Sequence, residues 1–346
     1  MKKTLALLLA AMMLLALAAC GTTNDTTTEP PAATDPVETE SAATEPADDD
    51  AAGETYVVGI CQQMTHVALD AATEGFKAAL TDILGEGAVT YEEGNAGGDQ
   101  NNCVTIVDGL VSEGVDLILA NATWPLQAAA AATGDIPILG TSITDYATAL
   151  NLDGWTGTVG NNISGTSDLA PLDQQAEMIQ ELFPDAANIG LLYCSGEANS
   201  VYQIETIRGY LEDMGYTCEA YAFTDVNDLS SVTQTACDNS DVIYIPTDNT
   251  AAGNTETIAN IVLAAGVPVV AGESGICSGC GVATLSIDYY ELGYTTGEMA
   301  AKILTGEADV TTMAVEYAPN VTKMYNAANC EALGLTMPED YVAIEG

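Results

Sequence analysis

The chain has 346 residues, 48% of them hydrophobic, and is long enough to bury one large core or two smaller ones. It carries 50 acidic residues against 6 Lys and Arg residues, which gives a formal net charge of -44 at pH 7. A chain this acidic repels phosphate backbones, so its charge argues against nucleic acid as a partner and against an anionic lipid surface.

The beginning of the chain has the pattern of a secretory signal. A short positive start, Met1–Lys3, precedes an apolar run of Leu, Ala and Met over residues 5–17. This run is shorter than the about 20 residues of a membrane-spanning helix, so it predicts a signal peptide over residues 1–19. The segment Leu17–Cys20 resembles the lipobox of bacterial lipoproteins, which implies a lipid on the Cys20 thiol and an anchor to the cell membrane outside the cytoplasm. An ordinary secretory cleavage site beside a chance cysteine is the alternative.

Residues 20–55 are predicted to be a disordered acidic tether. Beyond Cys20 they are mostly Thr, Glu, Pro, Ala and Asp, with no aromatic residue and Val37 as the one large aliphatic side chain. Such a composition buries too little apolar surface to offset the entropy of ordering, and its carboxylates repel one another. The folded part is therefore expected to begin near Tyr56.

From there onward, short apolar strands alternate with amphipathic helices. The first half predicts strands at 56–61, 88–92, 115–120 and 136–139, with helices at 69–84, 100–111 and 125–132. The second half predicts strands at 189–193, 217–223, 242–245 and 268–271, with helices at 198–214, 229–237 and 255–265. The halves share local sequence, since Val115–Leu119 matches Ser240–Tyr244 and Ile136–Leu139 matches Val267–Val270. This alternation predicts two similar α/β lobes, each with parallel strands and helices on both faces.

Candidate binding residues follow these strands. Ligands of such sheets bind beyond the carboxyl ends of the strands, so two facing lobes would share one cleft. In the first lobe the candidates are Gln62, Thr65, Thr123, Trp124, Ser142 and Thr144. In the second lobe, Asn199 and Ser200 stand at the start of a helix, where free backbone N–H groups favour a ligand carboxylate, and Asp248 would accept hydrogen bonds from an ammonium group. Loop capping without ligand contact is the alternative for each.

Several uncommon strings occur together, in an order and spacing found in one family. They are Gly59–Gln62, His66–Asp70, Glu74–Lys77, Gly165–Asp168, Ser195–Ser200, Pro246–Thr250, Asp288–Gly293 and Met299–Leu304. On these residues the chain from about 56 to 340 resembles the ABC-transporter substrate-binding lipoproteins of the tryptophan/tyrosine type. The resemblance implies a type I periplasmic-binding-protein fold, in which two Rossmann-like lobes joined by three crossings close on an amino acid and deliver it to a permease. It also adds Asp168 and Asn249 to the candidate contacts.

The implied crossings suggest an N-terminal lobe of residues 56–160 plus 288–318 and a C-terminal lobe of 161–287 plus 319–346. Two positions depart from the family: Trp124 replaces a small residue and Tyr146 a proline. Trp124 would either stack on an aromatic ligand or fill the pocket and select something smaller. An aromatic amino acid is the predicted cargo. A small or branched amino acid, a nucleoside or a sugar, or a role as a sensor, are the alternatives.

Other classes of function have weaker support in the sequence. Eight cysteines besides Cys20 permit disulfides without defining a pairing, and Cys277–Cys280 could be a redox pair or half of a zinc site. His66 is the single histidine, so neither a metal nor a cofactor is expected. No Gly-x-Ser-x-Gly elbow or phosphate-binding loop indicates an enzyme, and a repressor of similar fold would need a basic DNA-binding head.

Overall fold

Two β-sheets organise the chain in a computed structural model that describes residues 55–318 and 320–344. The strands are β1 Tyr56–Gln62, β2 Val89–Asn95, β3 Leu117–Asn121, β4 Ile138–Ile143, β5 Ile163–Ser167, β6 Asn188–Cys194, β7 Thr217–Phe223, β8 Val242–Ile245, β9 Val269–Ala271, β10 Ala283–Ser286, β11 Glu316–Tyr317, β12 Thr322–Tyr325 and β13 Val342–Ala343. The predicted signal peptide, Cys20 and almost all of the tether lie outside the described residues.

Helices connect most of these strands. They are α1 Val67–Leu84, α2 Gln100–Glu113, α3 Thr123–Ala132, α4 Tyr146–Leu150, α5 Leu172–Leu182, α6 Ala198–Asp213, α7 Val226–Asn239, α8 Asn249–Ala252, α9 Thr255–Ala265, α10 Ser274–Gly279, α11 Tyr289–Leu304 and α12 Ala327–Leu333, with a short 3₁₀ helix at Val310–Thr312. Every strand and helix predicted from the hydrophobic pattern is confirmed, with boundaries shifted by a few residues. Within the described residues, no helix is both long and apolar enough to cross a membrane.

The first sheet has the order β11-β5-β4-β3-β1-β2 and the second the order β13-β12-β10-β9-β8-β6-β7. All neighbours are parallel except β10 and β12. Each sheet has a hydrophobic core on both faces: Ile118 and its neighbour Leu117 belong to different clusters in the first, as do Ile243 and Tyr244 in the second. The two α/β lobes with helices on both faces are therefore confirmed.

The chain passes between the sheets three times: between β5 and β6, between β10 and α11, and between β11 and β12. The first passage comes later than residue 160, because β5 pairs with β4 in the first sheet. This strand, Ile163–Ser167, has a single large apolar residue, so hydrophobicity alone does not reveal it.

Helix α11 follows a strand of the second sheet but packs along α1 of the first lobe. Glycines make this close approach possible, because a Cβ on Gly75 would overlap the Tyr290 carbonyl and one on Gly293 would overlap the Ala72 carbonyl. The backbones of the two helices therefore touch directly, which fixes the second passage and places the start of α11 beside the carboxyl ends of the strands.

Candidate functional site

Two consecutive glutamines, the last residue of β1 and the residue after it, face different ways. Gln62 turns toward α1, where its amide donates to Asp70 Oδ1 at 2.6 Å and accepts from the Thr73 hydroxyl at 2.7 Å. Gln63 is 1% exposed and its Oε1 accepts from the Trp124 backbone N–H at 3.3 Å. The Gln63 Nε2 has no hydrogen-bond partner among the described residues. The structure thus brings Gln63 to the other strand ends, while the side chain of Gln62 is held in the first lobe.

Two residues with strained backbones lie near strand ends: Ala122 follows β3, and Ser142 lies within β4. Ala122 has φ 91° and ψ 171°, a backbone conformation that is essentially confined to glycine. Ser142 has φ 57°, is buried, and its Oγ has no partner within the described part of the chain. Thr123, also buried, is the first residue of α3. Strain of this kind persists only where the surroundings enforce it, and it concentrates at functional sites.

A buried carboxylate lies where the chain first leaves the first sheet. Asp168 is 3% exposed, and it accepts hydrogen bonds from the Thr144 hydroxyl and the Tyr289 hydroxyl, both at 3.0 Å. Burial raises its pKa from 3.8 to about 6, and these two hydroxyls limit the rise. Tyr289 begins α11, so its hydrogen bond to Asp168 connects the passage after β5 with the passage before α11.

The carboxylate of Asp248 serves as an N-cap in the second lobe. It accepts from the Cys194 N–H at 2.6 Å and from the Ala251 N–H at 2.8 Å, which ties the end of β6 to α8. Burial raises the pKa of this carboxyl, and the neighbouring Glu197 raises it further. Two of its hydrogen-bond donors are fixed backbone groups and a third is the Ser200 hydroxyl, whereas the side-chain donors to Asp168 are both rotatable hydroxyls.

Glu197 and Glu273 are buried acids that the sequence patterns did not single out. Glu197 is fully buried and accepts from the backbone and side chain of Asn249 at 3.1 and 2.7 Å, and from those of Thr250 at 2.8 and 2.7 Å. Glu273 caps α10 through two backbone N–H groups, and burial raises its pKa. The one sequence signal for Glu197 was its place directly before a predicted helix, which usually means an exposed cap, and Glu273 had no such signal.

The remaining candidates divide into two groups. Asn199 and Ser200 lie buried in the first turn of α6, and the Asn199 Nδ2 donates to Ser200 Oγ at 3.3 Å, while its Oδ1 has no partner among the described residues. Thr65 is exposed and accepts from Asn95, away from the buried groups. The Trp124 ring is half-buried and packs on a core cluster of the first lobe.

Unpaired polar atoms concentrate where the two lobes meet. Eight buried side-chain N or O atoms lack a hydrogen-bond partner within the described residues. Five of these atoms lie near the carboxyl ends of β1, β3 and β4 or in the first turn of α6. They belong to Gln63, His66, Asn121, Ser142 and Asn199. Leaving such a group unpaired costs about 1–3 kcal/mol, so their clustering indicates a site built for a polar molecule.

The charge of this site is negative. Four buried carboxylates surround the strand ends, namely Asp168, Glu197, Asp248 and Glu273. In the described part of the chain, none of them pairs with a Lys or Arg, whose ion pairs involve other acids. A buried carboxylate without a cation favours a ligand that brings a positive group. Within the described residues, no set of three or more His, Cys, Asp and Glu side chains could hold a metal ion.

All eight described cysteines are free thiols. Cys61 and Cys103 are nearest to a pair, since the Cys61 Sγ lies 4.0 Å from the Cys103 carbonyl oxygen and both are fully buried. Burial raises the pKa of the Cys277 and Cys280 thiols, which opposes nucleophilic or redox reactivity.

Comparison with known proteins identifies the family. Residues 57–344 match the family described as ABC transporter substrate binding protein. The chain belongs to this family. A curated relative, the tyrosine-binding protein of Clostridioides difficile strain R20291, is 32% identical over 259 residues, which cover 72% of this chain and 73% of the relative.

Two solved structures of similar identity differ in how well they superpose. The ABC domain from Streptococcus pneumoniae in complex with L-Trp is 31% identical, with a TM-score of 0.79 over 83% of this chain and 97% of its own. The ligand-free, open structure of a substrate binding protein with adhesive properties from Clostridium difficile is 33% identical, with a TM-score of 0.65 over 84% and 99%. The fold is that of a type I periplasmic binding protein.

Proposed function

We propose that this substrate-binding protein captures an aromatic amino acid between its lobes and delivers it to a membrane permease outside the cytoplasm. The observation that carries the proposal is the buried carboxylate of Asp168 without a cation, together with buried unpaired donors at strand ends of the first lobe. The relatives that bind tyrosine and tryptophan support an aromatic side chain. An aromatic amino acid supplies an ammonium group for the Asp168 carboxylate and a carboxylate for the unpaired donors.

The ligand carboxylate is assigned to the first lobe. Gln63 Nε2 and Ser142 Oγ are buried and have no hydrogen-bond partner among the described residues. Helix α3 belongs to the same lobe, and its amino terminus is the positive end of the helix dipole, which favours an anion. The Gln63 amide and the Ser142 hydroxyl both donate hydrogen bonds, which a carboxylate accepts. In this assignment Gln63 takes the role that the strand pattern gives to Gln62, whose amide already has three partners.

The ligand ammonium is assigned to Asp168, in preference to Asp248. The Thr144 and Tyr289 hydroxyls around Asp168 can both turn to leave a lone pair for an N–H donor. Asp248 keeps two backbone donors that cannot turn away, besides the Ser200 hydroxyl. A charge-assisted hydrogen bond contributes about 1.5–3 kcal/mol, which is about a 10- to 150-fold change in affinity. Asn199 and Ser200 complete the site from the second lobe, where the Asn249 amide is already engaged by Glu197 and His66.

The proposal includes an anchor and excludes catalysis. Cys20 would carry a lipid that holds the protein at the membrane, and residues 20–55 would act as the tether. No cofactor is required, and the buried acids are arranged to bind a cation rather than to transfer a proton to a substrate. The lobes are proposed to consist of the two sheets with their helices, with α11 belonging to the first.

The test is a calorimetric titration of protein carrying Cys20→Ser, which removes the proposed lipid site, after partial unfolding and refolding to remove bound ligand. The panel contains tryptophan, tyrosine and phenylalanine, with leucine, a nucleoside and glucose for the alternative cargoes. Tryptamine and indole-3-propionate are matched controls, because each keeps the ring and one of the two charged groups. We expect an aromatic amino acid to bind and indole-3-propionate to lose the most affinity. Binding of only the nucleoside or the sugar would overturn the assigned cargo.

A further inference from the structure

The loop between β1 and α1 of the first lobe reaches across to the second lobe. His66 Nε2 lies 3.1 Å from Asn249 Oδ1, at the first residue of α8. Met64 lies against Gly253, the residue that ends the same helix. These contacts flank the buried site, and neither uses a residue assigned to the ligand carboxylate or ammonium.

Glu197 fixes the direction of the hydrogen bond to His66. Because a carboxylate only accepts, the 2.7 Å contact between Glu197 and Asn249 requires the Asn249 Nδ2 to face Glu197. The Asn249 Oδ1 must then face His66, and an amide oxygen only accepts, so the His66 Nε2 carries the hydrogen.

The absence of a side chain at Gly253 makes room for Met64. Gly253 has φ -74° and ψ -6°, which any residue adopts, so its backbone does not require glycine. A Cβ at this position would overlap the Met64 terminal methyl group. A larger residue at position 253 would therefore occupy the space that the Met64 side chain takes when the lobes meet.

A second close approach lies further along the same loop. A Cβ on Gly275, near the start of α10, would lie 3.3 Å from the Val67 Cβ. Val67 is 64% exposed, so this contact is at the edge of the interface and contributes less than the other two. Residues 64–67 thus touch two short helices of the second lobe.

We propose that Met64–Val67 is a closure latch, which stabilises the closed lobes without touching the ligand. Glu197 acts as a positioning residue, because it orients the Asn249 amide that receives His66. The latch rests on the proposed function only in that closure captures a ligand. One hydrogen bond and one small apolar contact should each change the closing equilibrium about 2- to 10-fold.

The experiment compares Gly253→Leu with Gly209→Leu as matched control. Gly209 is exposed in α6 of the second lobe and has nothing within 4 Å of an added Cβ. Lobe closure is followed by single-molecule energy transfer between dyes on non-canonical amino acids at two exposed sites, Glu113 in the first lobe and Glu212 in the second. Ligand dissociation is followed by stopped-flow fluorescence.

We expect Gly253→Leu to lower the closed fraction at least 10-fold and to speed ligand dissociation by a similar factor, with association changed less than 2-fold. His66→Ala should speed dissociation about 2- to 10-fold. Adding Met64→Ala to Gly253→Leu should restore closure toward the level of Met64→Ala alone, which a merely misfolded variant would not show. Gly209→Leu should behave as the unchanged protein.

Two results would overturn the latch: closure of Gly253→Leu to the same extent as the control, or no closed population in the unchanged protein with or without ligand. If no amino acid binds but Gly253→Leu still lowers the closed fraction of the ligand-free protein, the latch stands and the proposed cargo fails. The two proposals are therefore separated by the same measurements.

Discussion

Replacing Asp168 by Asn is expected to stabilise the ligand-free protein at neutral pH and to weaken ligand capture. Burial raises the pKa of Asp168 from 3.8 to about 6. A shift of roughly two units corresponds to about 3 kcal/mol, at about 1.4 kcal/mol per unit. The folded chain holds a proton that the unfolded chain releases, so stability is lost as the pH rises from about 4 to about 6. Asparagine has nearly the same shape without the charge and avoids this cost.

The assay is thermal unfolding followed by circular dichroism at pH 4 and pH 7.5, together with calorimetric titration of the ligand at pH 7.5. With about 2–4 °C per kcal/mol for a domain of this size, Asp168→Asn should melt several degrees above the unchanged protein at pH 7.5. At pH 4 the two should melt together, because Asp168 is then protonated. The affinity of the Asp168→Asn variant for an ammonium ligand should fall about 10- to 150-fold.

Asp248→Asn is the matched control, since it makes the same change in a carboxylate that accepts two backbone N–H bonds. Burial and Glu197 raise the pKa of Asp248 to about 7, which favours a neutral amide at pH 7.5, but the amide nitrogen cannot accept from a backbone N–H. This variant should therefore gain less stability than its pKa shift alone predicts. If Asp168→Asn melts lower than the unchanged protein at pH 7.5, or binds the ligand unchanged, then the Asp168 carboxylate is not an unpaired charge poised for an ammonium group.

Three further predictions concern the scaffold. Ala122→Gly should raise the free energy of unfolding by about 1 kcal/mol, because relief of about 1–3 kcal/mol of backbone strain exceeds the entropic cost of glycine. The assay is chemical denaturation, and a lower free energy of unfolding would mean that the Ala122 backbone is not strained. Gly293→Ala should destabilise by at least about 2 kcal/mol in the same assay, because its Cβ would meet the Ala72 carbonyl, whereas Gly209→Ala should be neutral or slightly stabilising. Protein carrying Cys20→Ser, denatured without any reductant, should titrate with eight free thiols, and six would reveal a disulfide.

The sequence predicted the lobes well because their strands are apolar and their helices periodic. β1, β3 and β8 are buried on both faces, so their composition alone marks them. β5 and the passage that follows it escaped the pattern, because Ile163–Ser167 is buried yet consists mainly of Ser, Gly and Thr. Its hydroxyls bond groups outside the strand, such as the Thr296 hydroxyl and the Thr144 carbonyl, an arrangement that becomes evident only once the sheet is formed.

The proposed position of the site follows from the strand ends, whereas the orientation of its side chains does not. Gln62 and Gln63 have the same chemistry at adjacent positions, and a strand end alone does not say which one faces the cleft. Glu197 was hidden for a different reason. Its role depends on contacts with Asn249 and Thr250, more than 50 residues away, which no local pattern reports.

The closed lobes carry costs that a correct ligand removes and a wrong ligand does not. Ala122 and Ser142 hold strained backbones, Gln63 and Asn199 leave polar atoms unpaired among the described residues, and Asp168 is buried without a cation. A ligand that lacks an ammonium group would leave the last of these costs, about 3 kcal/mol or about 150-fold in affinity, in place. In the proposed function, selectivity would arise because closure is unfavourable until the ligand supplies both charges. A latch as weak as one hydrogen bond and one methionine contact suits this balance, since a strong one would close empty lobes and would also hold the ligand when it must be released.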